Sequence, residues 1–176
     1  RRCLRENTLF GVVSILDDKP IDSDASAIAN FSNIGTLAKL EEFDPIQPAL
    51  YMTKSYGTQR FRLLAITQES DGLWMGQVEL IDRDPEIPLP KEHEKVAALL
   101  NEIIAVIKSE ELLGDDAFKI PANLDDCGWV ANRLAELLPL PLAQKNHLLA
   151  QSNPRIRLDL ISEIIEDDGL RNVVIH

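Results

Sequence analysis

The sequence predicts an α+β chain in which a mostly antiparallel β half precedes an α-helical bundle. Two observations carry that expectation. Positions 1–81 hold most of the glycines and the alternating apolar patterns, whereas positions 91–168 show helical periodicity almost throughout. Between them Pro85, Pro88 and Pro90 exclude helix and central strand alike. The chain therefore divides into a β-rich subdomain at 1–84, a proline-rich linker at 85–90 and a helical bundle at 91–176.

Arg1 to Asn7 reads as the tail of a helix. It opens without a capping residue, so an upstream piece is expected before it. Leu9 to Ile15 is a continuous apolar, β-branched run suited to a buried strand. The polar segment Asp17 to Asn30 follows as a loop; its acids Asp17, Asp18, Asp22 and Asp24 lack the spacing and closing Glu of a calcium loop and read as solvated. Ile34 to Phe43 is a strand, Pro45 and Pro48 limit a turn, and Ala49 to Ser55 starts the next strand, which Gly57 interrupts. That strand resumes through Ala65, with Phe61 and Leu63 on one face and Arg60, Arg62 and Leu64 on the other. Asp71-Gly72 signals a hairpin, and Leu73 to Ile81 returns with Glu79 across or diagonal from one of the arginines.

In the second half Val96, Leu99, Leu100, Ile103, Ile104 and Ile107 form the stripe of a helix from about Glu92 to Leu113. Asp125 is placed to cap a second helix with Val130, Leu134, Leu137 and Leu138 inward. Pro141 opens a third with Leu142, Leu148 and Leu149 inward, and Pro154 a fourth with Ile156, Leu160, Ile161, Ile164 and Ile165. Short connections between such helices make a bundle packed on itself.

Composition narrows the partners. Twenty-nine acidic residues against 18 Lys and Arg leave a net charge of −11, which repels phosphate backbones and anionic lipid. Charges interrupt every apolar run well short of a membrane span, and no basic-then-apolar leader opens the chain, so a cytoplasmic protein is expected. Cys3 and Cys127 are far apart and fit neither a disulfide framework nor a zinc site.

No phosphate loop, nucleophile elbow or dinucleotide fingerprint occurs. His93-Glu94 begins like a zinc-protease helix, but Ala97 stands where the second ligand belongs, so His93 reads as a solvated helix residue. His147 and the terminal His176 read as surface too. The acid pairs Glu110-Glu111, Asp115-Asp116, Asp125-Asp126 and Asp167-Asp168 read as caps and solubilising charges. No metal and no cofactor are expected, and no catalytic residue is assigned.

Three segments nevertheless resemble one family in order and spacing: Ile34-Gly-Thr-Leu-Ala-Lys39; Tyr56-Gly-Thr-Gln-Arg-Phe-Arg62 with the return strand Leu73 to Leu80; and Trp129 through Leu138-Pro-Leu-Pro-Leu-Ala-Gln-Lys145, followed by Leu148-Leu149 and Arg157-Leu158. They are similar to the amino-terminal substrate-binding domain of the Lon ATP-dependent proteases, including its free-standing bacterial relatives. The resemblance implies a PUA-like pseudo-barrel followed by a helical bundle. The family's opening strand is not in this chain, nor are the ATPase and Ser-Lys protease domains of full Lon, so no enzyme activity is carried over.

What the resemblance implies is a non-catalytic binding module for unfolded or tagged polypeptides, with a protease or a second copy of the chain as further partner. Its polypeptide contacts are expected at Phe43, Leu50, Tyr51 and Met52 on the Pro45–Pro48 hairpin, and at Trp74 and Met75, as exposed and adaptable apolar side chains. The alternative is an RNA-binding PUA-like module centred on Arg60 and Arg62, against which the acidic balance speaks. An enzyme whose site needs the absent strand is the third reading, to be revived by a closed pocket with converging polar groups.

Overall fold

The computed structural model describes residues 2–16, 28–48, 50–110 and 122–167, and the chain falls into two compact units, Arg1–Arg83 and Asp84–His176. The calcium-like acids between Asp17 and Asp24, the pair Asp115-Asp116, and His176 lie outside the described residues.

In the first unit, helix α1 (Arg2–Glu6) stops at Asn7, whose φ of 51° is the left-handed conformation that closes helices, with Thr8 N donating to Cys3 O. Strands β1 (Phe10–Ile15), β2 (Phe31–Gln47), β3 (Leu50–Gln68) and β4 (Trp74–Leu80) then form one curled, wholly antiparallel sheet in the order β1-β2-β3-β4. Its buried centre is small: Ile34 and Ala38 of β2 with Phe61 and Leu63 of β3. Phe61 and Leu63 alternate with the exposed Arg62 and Leu64, as strand periodicity requires. The β3–β4 turn closes at Gly72, whose φ of 86° suits glycine, with Gly72 N donating to Glu69 O and Leu73 N to Asp71 Oδ1.

Three expectations for this half are corrected. β1 is not a buried strand: Val12 and Ile15 are exposed, because nothing among the described residues packs over them. The prolines do not end β2, which continues through Pro45 to Gln47; Pro45 lies opposite Tyr51 where β2 has no second neighbour, so its missing N–H leaves no ladder bond unmade on a central strand. Nor does Gly57 interrupt β3; it pairs with Ala38 beside a register shift at Leu37/Ala38.

The second unit begins with the proline-rich segment, which runs extended along the helices. Cys127 N donates to Ile87 O, Leu89 N to Asp125 O, and Pro88 bridges Asp126. After a 3-10 turn at Lys91–His93 come α2 (Glu94–Ser109), α3 (Cys127–Leu137), α4 (Leu142–Ala150) and α5 (Pro154–Asp167). The cap of α3 is Asp126, one residue later than expected: Oδ1 accepts from Trp129 N at 2.7 Å while Oδ2 accepts from Ile87 N at 3.0 Å. Asn153 Oδ1 accepts from Arg155 N and Ile156 N at the start of α5. One continuous core joins the helices, centred on Leu100, Ile104, Val130, Leu134, Leu148, Leu158 and Ile161. Two residues assigned inward, Leu142 and Ile156, are exposed: Leu142 is the first residue of α4, and Ile156 lies off the stripe of Pro154, Arg157, Leu158, Ile161 and Ile165 that α5 buries.

Candidate polypeptide-binding surface

β1 pairs with β2 only as far as Ala38, and β4 pairs with β3 only from Phe61 onward. The rest of the β2–β3 hairpin, from Lys39 to Gln47 on one strand, is a two-stranded arm of about 30 Å at roughly 3.4 Å per residue. A ribbon of two strands buries neither face, and its side chains show it. Leu50, Met52 and Ile46 are 53%, 64% and 52% exposed, and Tyr51 is 38% exposed. Tyr51 stacks on the half-buried Phe43 across the ladder, with ring centroids 4.7 Å apart and planes at 29°. That offset pair stiffens the arm and presents a flat aromatic surface. Alternation puts Leu50 and Met52 on the face opposite Tyr51, so the arm is apolar on both sides.

The six sequence-predicted contact residues thus divide. Phe43, Leu50, Tyr51 and Met52 come together on the arm. Trp74 and Met75 stand at the other end of β3, since Trp74 pairs with Gln68, its last residue, whereas Tyr51 is its second. Trp74 is half-buried and meets Phe31 edge-to-face at 5.7 Å; Met75 is exposed beside the exposed Leu73. Sequence reading missed Ile46, exposed on the arm, although its place between Pro45 and Pro48 kept it near the tip. Arg62 lies opposite Glu79 with Nε 3.6 Å from Oε2, both exposed, and Arg60 is engaged as well. The Arg62–Glu79 contact is what a wet sheet face partnered by an acid would show, and it weakens the RNA reading.

The helical unit holds a second polar constellation that the sequence reading placed wrongly. His93 is buried, not solvated: its Nε2 is 2.6 Å from Asp159 Oδ1 and its Nδ1 is 3.0 Å from Ser162 Oγ. The reason is register, because His93 is three, four and seven residues before Val96, Ala97 and Leu100, in phase with the buried stripe of α2. Ser162, Asp159 and His93 are connected as in a hydrolytic relay, but Ser162 Oγ also lies 2.9 Å from Leu158 O, where its proton is donated within its own helix. The contacts tie the start of α2 to α5, and they read as a structural latch. Arg155 joins it through Asp159 at 3.2 Å and through Glu92; the hydrogen bond to Asp159 holds its guanidinium above the ordinary arginine range. Burial pushes the Cys127 thiol up, and its Sγ donates to Pro88 O, both of which disfavour the reactive thiolate. Among the described residues no group of three His, Cys, Asp or Glu side chains is placed to hold a metal ion, and no helix is long and apolar enough to cross a membrane.

Comparison with known proteins agrees with this architecture. The sequence profile of the ATP-dependent protease La (LON) substrate-binding domain matches residues 1–167. The Lon protease of Erwinia amylovora is 22% identical over 156 residues, covering 89% of this chain and 20% of that protein. The Lon protease of Buchnera aphidicola subsp. Baizongia pistaciae is 23% identical over 151 residues, covering 86% and 18%. The chain therefore spans about a fifth of the length of these relatives. Among solved structures, a Lon N-terminal domain protein from Xanthomonas campestris superposes with a TM-score of 0.68 at 29% identity, covering 92% of this chain and 79% of that one. The N-terminal domain of a Mycobacterium avium complex Lon protease shares the fold, with a TM-score of 0.51 at 19% identity over 90% and 91% of the two chains.

Proposed function

Because this chain belongs to the family of ATP-dependent protease La (LON) substrate-binding domains, we propose that it is a recognition module that engages unfolded or tagged polypeptides through the β2–β3 arm. The observation that supports the reading is the arm itself, with Ile46, Leu50 and Met52 exposed on it and the stacked Phe43–Tyr51 pair on the face opposite Leu50 and Met52. A soluble domain seldom exposes contiguous apolar side chains without a partner for them. Unfolded polypeptides expose what folded ones hide, so burial at about 25 cal/mol per Å² of apolar surface selects them without reading a defined sequence. Methionine and stacked aromatics suit varied clients, because the thioether adapts its shape while the rings supply area at little entropic cost. Leu73 and Met75 at the far end of β3 offer a second, smaller contact for the same extended client. The module's proposed role is to capture a client for a protease that carries the chemistry, and the cytoplasm is its proposed location.

The test is fluorescence anisotropy of a labelled, permanently unfolded polypeptide titrated with the protein, with the folded form of that polypeptide and a single-stranded RNA as parallel probes. The unfolded chain alone is expected to bind, and Tyr51→Ala with Met52→Ser to weaken it at least about fivefold, from the loss of roughly 1 kcal/mol or more of apolar contact. Both substitutions fall on exposed positions, so the circular-dichroism spectrum should be unchanged. Equal binding of the double variant, or salt-sensitive binding of RNA alone, would overturn the proposal.

A further inference from the structure

A shallow groove of about 350 Å³ lies between α4 and α5, entirely within the helical unit. Leu148 of α4 and Leu160 and Ile164 of α5 supply an apolar floor. Leu160, Glu163, Ile164 and Asp167 follow at spacings of three, one and three along α5, so apolar and acidic side chains share one stripe of a single helix. Glu163 and Asp167 are exposed at the rim with Gln144 and His147 across from them on α4, and among the described residues no Lys or Arg lines the groove.

Charge is an independent feature: the acid excess of the whole chain is concentrated at positions 84–176. A cation held at this rim would therefore meet two carboxylates within the more acidic of the two units.

We propose that the α4–α5 groove docks a basic amphipathic helical segment of a partner polypeptide. Its apolar side chains lie on Leu148, Leu160 and Ile164, and its Lys or Arg residues pair with Glu163 and Asp167. The stripe spacing along α5 suits a third helix laid into the groove. The inference rests on the helical unit alone and stands whether or not the arm binds unfolded chains.

The probe is a labelled peptide of roughly 18 residues, about five helical turns, with Leu on one face and Lys on the other. Its anisotropy should show saturable binding to the full chain. Glu163→Lys with Asp167→Lys should weaken binding about tenfold or more, because two exposed pairs, each worth up to about fivefold, become repulsions. Glu94→Lys with Glu102→Lys, exposed on α2, makes the same change of net charge and should leave affinity within about twofold. A peptide of equal charge with Ser in place of Leu should bind far more weakly. Equal loss in both double variants would mean diffuse attraction and overturn the proposal. So would undiminished binding of the Ser peptide, or no saturable binding of the Leu–Lys peptide. Sedimentation showing a dimer that Glu163→Lys with Asp167→Lys dissolves would assign the groove to a second copy of the chain and likewise overturn it.

Discussion

At Gly35 the sheet leaves room for a hydrogen atom and nothing larger. A Cβ there would stand 2.5 Å from Phe61 Cζ, 2.6 Å from Val12 O and 2.6 Å from Val13 Cγ1. Two of those atoms belong to the adjacent β1, and Phe61 is the largest side chain of the sheet's small core, so the ring and the edge strand cannot both give way. Gly35→Ala is expected to destabilise the β unit by about 1–3 kcal/mol, read as a lower urea midpoint with unchanged slope. Cys127 allows a chemical test at the same scale. With its thiol wholly buried and its pKa raised by desolvation, it should react with a disulfide reagent much more slowly than the half-buried Cys3 at neutral pH. The sign follows from the raised value: the folded thiol keeps its proton above the ordinary 9.0, so the stability it contributes is complete below that pH and is lost as pH rises through the higher folded value. Equal labelling of the two cysteines in the native protein would refute the burial argument.

Between elements, one arginine does most of the joining. Arg157 of α5 is 2% exposed; its Nε donates to Leu148 O of α4 at 3.0 Å, Nη1 to Asn132 Oδ1 of α3 at 3.0 Å, and Nη2 to Gln151 O in the α4–α5 loop. Both terminal nitrogens also reach Asp84, the nearer contact being 2.6 Å, which fastens the start of the proline-rich segment to α5. Arg157→Leu would remove the guanidinium hydrogen bonds from a largely buried carboxylate and two carbonyls. A loss of about 3–5 kcal/mol is expected, seen as a lower thermal midpoint of the helical signal, and Arg157→Lys should recover only part of it because an ammonium cannot reproduce the planar fork. Full recovery by Lys would show that charge alone matters. This residue carried the family resemblance, yet its role was not read from the sequence. A signal was present, since Arg157 stands three residues after Pro154 and four before Ile161, in phase with the buried stripe of α5. His93 was missed for the same reason, its polarity outweighing its phase.

At the scale of the whole molecule the two units differ in how much they bury. The large apolar cluster lies wholly within positions 84–176, whereas the sheet buries only Ile34, Ala38, Phe61 and Leu63 and leaves Val12, Ile15, Leu64 and Leu80 exposed. A fragment spanning 84–176 should therefore keep its helical spectrum and unfold cooperatively by itself, while 1–83 alone should bind hydrophobic dyes; a non-cooperative melt of 84–176 would sink this expectation. The sequence by itself determined the order of elements, the Asp71-Gly72 hairpin, which strand residues share a face, the placing of Glu79 near one of the two strand arginines and the kinship with Lon substrate-binding domains. All of these are encoded locally, by side-chain period, turn chemistry or short ordered motifs. Only the tertiary structure decided what is covered. Period places Val12 or Met52 on a face, but whether that face meets water depends on what packs against it, and nothing among the described residues covers either one. Conversely, His93 and Arg157 are polar in sequence and buried in space because acids and carbonyls distant along the chain converge to satisfy them.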